Sequence, residues 1–186
     1  MNRALLTKLH LVTAALMFPA VLMFLLTGAL YTWGNKGAWY ESTQTVELDR
    51  PYAELSEEGL RQAALDALSA EDLPEPSGAF SVDGEANERT ASWVGARSEA
   101  SVAAGPSASS AEVQVKEASV HRWLVQLHKA KGSVFFKIYA TLLAVVLFLL
   151  VLSGVVMGLQ VKALRRLTLV SSAVGAVAFV GFVLLG

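Results

Sequence analysis

The chain has 186 residues, of which 54% are hydrophobic and 17% charged, an apolar excess beyond that of an ordinary soluble domain. It contains no cysteine, which excludes disulfides, cysteine-ligated iron–sulfur clusters and thiol catalysis. Its fifteen bases nearly balance its sixteen acids, yet every Asp and Glu falls between Glu41 and Glu117, so both ends carry only basic charge.

Residues 9–33 are the first stretch long enough to cross a bilayer, which takes about 20 apolar residues, and they hold no charged side chain. The stretch is longer than the roughly 7–15 apolar residues of a cleaved signal. Tyr31, Trp33, Trp39 and Tyr40 follow as an interfacial aromatic belt, so a retained membrane helix is expected. Pro19 predicts a kink whose freed carbonyl neighbouring helices satisfy.

Residues 34–118 are about the size of one small domain. A short strand is expected over 43–48, with Val46 and Leu48 on one face and Arg50-Pro51 ending it. A helix is expected to start at Ser56, a good N-cap followed by Glu57 and Glu58, with Leu55 stapling onto Leu60. Leu60, Ala64, Ala67 and Leu68 form an apolar stripe at helical spacing, and Pro74 and Pro76 mark the exit. Weaker strands are expected at 80–82, 90–94 and 98–103, with Asp83-Gly84 and Gly95 as turns. The small residues from Gly105 to Ser110 read as a mobile loop. A last strand follows at 112–116. The result is an α+β domain with a thin core, expected to lean on the membrane helices or a partner.

Residues 119–133 read as a cationic helix at the membrane surface, with His121, Leu124, Val125 and His128 on one face, resting on anionic headgroups. Residues 134–160 form the second span, in which Lys137 snorkels; 161–166 form a basic turn, and 167–186 the third span. Arg3 and Lys8 in segment 1–8, and Lys162, Arg165 and Arg166 in the turn, place both on the cytoplasmic side of a bacterial inner membrane. The region between the first two spans is then periplasmic or external, and its nine bases from Lys36 to Lys131 against sixteen acids leave it near −7.

The chain contains an internal repeat. Lys8-Leu9-His10 leads into a span that ends Leu26-Thr27-Gly28, and Gln126-Leu127-His128 leads into one that ends Leu152-Ser153-Gly154. Leu-His at the entry of a span and Leu-(Thr/Ser)-Gly near its exit resembles the PepSY-associated transmembrane family, in which a PepSY-type α+β domain lies outside between two such spans. The resemblance covers the first two spans and the domain between them. It implies a short, three-span, mainly α membrane protein with a small extracytoplasmic α+β, PepSY-like domain between the first and second spans. The family's larger members include haem-containing reductases of iron–siderophore complexes.

That resemblance makes His10 and His128 candidate ligands of haem b, with His121 and Met157 as further candidates; imidazole and thioether are usual axial ligands. Antiparallel spans about 30 Å thick put His10 and His128 at opposite faces. His121 and His128 are seven residues apart, about 10 Å along a helix, too far to share one iron. The expectation is no cofactor held by one chain, with haem b as the alternative. Gly154 with Gly158, and Ser171 with Gly175, are small-residue pairs suited to close helix packing, within the chain or with another subunit. No hydrolase, phosphate-loop or metalloprotease motif occurs, no ionisable row marks a transport path, and nothing supports nucleic-acid binding.

Two functions follow. The first is a non-enzymatic accessory subunit that presents its outer domain within a membrane complex or homo-oligomer. The alternative is a haem-b-dependent transmembrane electron carrier resembling the iron–siderophore reductases.

Overall fold

The computed structural model describes residues 3–85 and 88–186, so the first two residues of segment 1–8 lie outside the described residues. The elements in order are α1 (Arg3–Thr32), β1 (Trp39–Glu47), α2 (Glu57–Ala70), β2 (Phe80–Asp83), β3 (Thr90–Val94), β4 (Ser98–Ala104), β5 (Ser110–Ala118), α3 (Val120–His128), α4 (Val134–Gln160) and α5 (Lys162–Leu185). They divide into two compact units, residues 1–21 with 141–186, and residues 22–140.

Ala4–Thr32, Val134–Gln160 and Lys162–Leu185 are long and apolar enough to cross a membrane. α1 begins six residues before the expected span and runs through Pro19 without a break. The expected turn at 161–166 reduces to Val161. Lys162, Arg165 and Arg166 instead occupy the opening turns of α5, because Lys and Arg sustain a helix as soon as geometry allows. Arg165 Nε donates to the Leu159 carbonyl at 3.1 Å, satisfying one of the orphan carbonyls at the end of α4.

In residues 22–140 the five strands form one antiparallel sheet in the order β1-β5-β4-β3-β2. The outer pair is longer than the valine alternation alone predicts. β1 and β5 pair over nine residues, from Trp39 with Ala118 to Glu47 with Ser110. Ladder hydrogen bonds therefore carry both strands past their apolar positions, and Lys116 and Glu41, cross-strand neighbours, form a half-exposed ion pair at 2.8 Å worth little by itself.

α2 starts as expected: the Ser56 hydroxyl accepts from the Gly59 amide. Its stripe of Leu60, Ala64, Ala67 and Leu68, widened by Ala63, is buried with Trp93, Val102, Val113 and Val115 of the sheet. So many alanines let the helix sit close to the strands. The core gains bulk from Tyr52, 1% exposed, in a short 3-10 turn before α2. Its hydroxyl donates to the carbonyls of Arg89 and Val102, and Arg89 Nη2 donates back to the carbonyls of Tyr52, Ala53 and Leu55. Burial raises the Tyr52 phenol above its ordinary range, while the Arg89 guanidinium pulls the other way.

The loop from Gly105 to Ser110, expected to be mobile, is braced. Gly105 donates to the Ser110 carbonyl, and Leu48 and Tyr52 donate to the carbonyls of Ser109 and Ala108. Ser110 is buried. The sequence reads these residues as loose because they are small, yet Gly105 is small because Ser110 packs against it, a Cβ there standing 2.9 Å from the Ser110 carbonyl carbon. At Asp83-Gly84 the expected turn forms, with Gly84 at φ +87°, a conformation open to glycine.

α3 is shorter than the expected 119–133. Ser119 caps it by accepting from the Arg122 amide. It closes after His128, where Ala130 adopts φ +58° while Lys131 donates to the Gln126 carbonyl and Ala130 to that of Leu127. This double closure ends a helix firmly, so the segment before Val134 is not helical.

Candidate functional site

The two halves of the sequence repeat meet crosswise. Within residues 1–21 and 141–186, His10 Nδ1 lies 2.8 Å from the Ser153 hydroxyl. Within residues 22–140, His128 Nδ1 lies 2.9 Å from the Thr27 hydroxyl. The histidine of each repeat thus bonds the hydroxyl of the other.

The hydroxyls decide which way the protons run. Ser153 donates to the Leu150 carbonyl at 2.8 Å, and Thr27 to the Met23 carbonyl at 2.6 Å, the back-bonding habit of Ser and Thr in helices. Each hydroxyl has spent its proton, so it accepts from the imidazole. Each imidazole therefore carries a proton on Nδ1, which in the neutral ring leaves the Nε2 lone pair free. Neither Nε2 makes a protein hydrogen bond among the described residues.

The glycine after each hydroxyl faces the ring, and at Gly28 it gives the ring room. A Cβ at Gly28 would stand 3.1 Å from His128 Cε1, and one at Gly154 would stand 3.9 Å from His10 Cε1. Phe24 adds a tilted ring contact to His128 at 4.9 Å between centroids. His10 instead lines a groove of about 380 Å³ with Leu6, Leu9, Thr13, Val146, Leu149 and Leu150.

An imidazole that donates through Nδ1 and offers Nε2 is the form that binds a metal. Each couplet supplies one such nitrogen. Residues 1–21 and 141–186 contain no second histidine. Met157 lies there, its sulfur accepting from the Thr7 hydroxyl at 3.5 Å. In residues 22–140, His121 and His128 both lie on α3, seven residues and about 10 Å apart, and His121 Nε2 is buried without a partner. A haem clasped between two facing imidazoles does not fit either set of residues. No group of three or more His, Cys, Asp or Glu that could hold a metal ion occurs among the described residues.

The four small residues divide in two. Gly154 faces His10, and Gly158 packs directly against Thr168, so both serve contacts inside the chain. Gly175 has nothing within 4 Å of its Cβ direction. No residue of α5, Ser171 included, is buried.

Thr27, Ser153, Gly28 and Gly154 were legible as repeat motifs but not as partners of the histidines; Phe24 carried no signal. No curated protein and no solved structure matches the chain. The model of the PepSY-associated TM region matches residues 1–181, nearly the whole chain, ending within α5. The chain therefore belongs to the PepSY-associated TM region family.

Proposed function

We propose that this membrane protein is a non-enzymatic accessory subunit, which displays its PepSY-type sheet domain on the periplasmic or external side of a bacterial inner membrane and docks another membrane protein through α5. The observation that carries this reading is the bareness of α5. It is 24 residues long with no residue buried; Gly175 has nothing within 4 Å of its Cβ direction, and Ser171 is exposed. In lipid, helices gain little from apolarity and associate where small residues let backbones approach. A small-residue pair with no partner inside the chain suits a helix from outside it. The orientation rests on Lys8 near the start of the first span and on Lys162, Arg165 and Arg166 at the start of the third.

The free Nε2 atoms favour a second reading, a haem-b electron carrier in which a haem takes one axial imidazole from each of two chains. Absorbance separates the two. The accessory reading expects protein purified with haem supplementation to show no b-type bands. Bands lost in His10→Ala or His128→Ala would replace it with the redox reading.

A further inference from the structure

The loop between α1 and β1 is clamped onto the start of α3. The Ala38 amide donates to the Ser119 hydroxyl at 3.1 Å, and the Ser119 amide to the Ala38 carbonyl at 3.0 Å. Gly37, at φ +71°, lies so near Arg122 that a Cβ would stand 2.5 Å from its backbone nitrogen. Only glycine permits that approach. The clamp carries Lys36 to Arg122, whose Nη1 donates to the Lys36 carbonyl at 3.4 Å.

Three cations gather there on aromatic rings. Lys36 Nζ lies 5.5 Å and Lys129 Nζ 5.7 Å from the centroid of the same ring, Tyr31. The Arg122 guanidinium lies 5.2 Å from the centroid of Trp39. The ion pairs among the described residues are Lys116 with Glu41 and Lys131 with Glu99; none of the three cations is in one. Arg122 Nε is buried without a hydrogen-bond partner. Rings attract cations without neutralising them, so the cluster carries an uncompensated charge of three.

Tyr31, Trp33 and Trp39 are residues that settle at the headgroup level of a bilayer, and Tyr31 lies in the last turn of the apolar helix α1. What is dense and anionic at that level is lipid phosphate. A guanidinium and two ammonium groups match it in charge and in hydrogen bonding. We propose that Lys36, Arg122 and Lys129, gathered on Tyr31 and Trp39, bind the phosphate of an anionic phospholipid headgroup.

The test is native mass spectrometry of the full-length protein released from detergent and titrated with phosphatidylglycerol or phosphatidylcholine. Wild type should bind phosphatidylglycerol at least tenfold more tightly. The exposed pair Lys36→Gln with Lys129→Gln should lose about tenfold or more of that affinity, since each base near a lipid surface contributes roughly 1 kcal/mol. Lys116→Gln, which removes a charge already paired with Glu41, should lose none. If the double variant does not fold, judged by its thermal transition, Lys36→Gln alone should still lose about fivefold. Equal binding of the two lipids, or equal losses in the Lys36 and Lys116 variants, overturns the proposal. Displacement of phosphatidylglycerol by an equal concentration of inorganic phosphate overturns its lipid part and makes this a site for free phosphate.

Discussion

The two histidine couplets share residue types and bonding, yet they differ in what surrounds the ring. His128 touches Thr27, Phe24 and Gly28, with Thr27 only 3% exposed, while the histidine itself is exposed. His10 bonds Ser153 but lines an open apolar groove. The repeat therefore specifies the hydrogen bond, and the residues around it specify how crowded the imidazole is on its glycine side, close at Gly28 and looser at Gly154.

If that distinction is right, the largest contrast lies in the rings themselves. His128→Ala should cost about 2 kcal/mol, because it removes a hydrogen bond and the ring contact with Phe24. His10→Ala should cost about 1 kcal/mol, chiefly the bond. Thermal unfolding in one detergent gives both values, and equal losses would erase the contrast.

The glycines sharpen it further through the sign of the effect. In an open helix position Gly→Ala gains up to about 1 kcal/mol, so Gly154→Ala should raise the midpoint. At Gly28 the new methyl meets His128 at 3.1 Å, and overpacking there should cancel the gain or reverse it. A rise of equal size in both variants would show that the His128 ring yields freely.

Smallest of all is the effect of the hydroxyls. Thr27→Val and Ser153→Ala should each lose about 0.6 kcal/mol, the usual worth of a side-chain bond between helices in lipid. Nitrogen NMR of the imidazoles reads the same bonds directly: wild type should show both rings protonated on Nδ1, and each variant should release only its own histidine.

Much of this was legible in the sequence, and the failures have physical reasons. Leu60, Ala64, Ala67 and Leu68 were readable because helical periodicity is a local property, and the Ser56 cap because its partner is three residues away. The Tyr52–Arg89 latch joins residues 37 apart in sequence, which no local pattern reports. The bracing of the Gly105–Ser110 loop was missed because small residues look alike whether they are loose or closely packed. The repeat exposed both histidines and both hydroxyls. What it withheld was their exchange of partners, which arises only once the chain has folded back on itself.

The central claim, that α5 docks another membrane protein, is tested most directly by placing a photo-crosslinking residue at position 175 and illuminating native membranes. The account predicts one discrete adduct with another membrane protein, or with a second copy of this chain if the partner is itself. The same probe at Val177, on the opposite side of the helix and 73% exposed, should give none. Lipid adducts alone at both positions, or the same protein adduct from both, would contradict it.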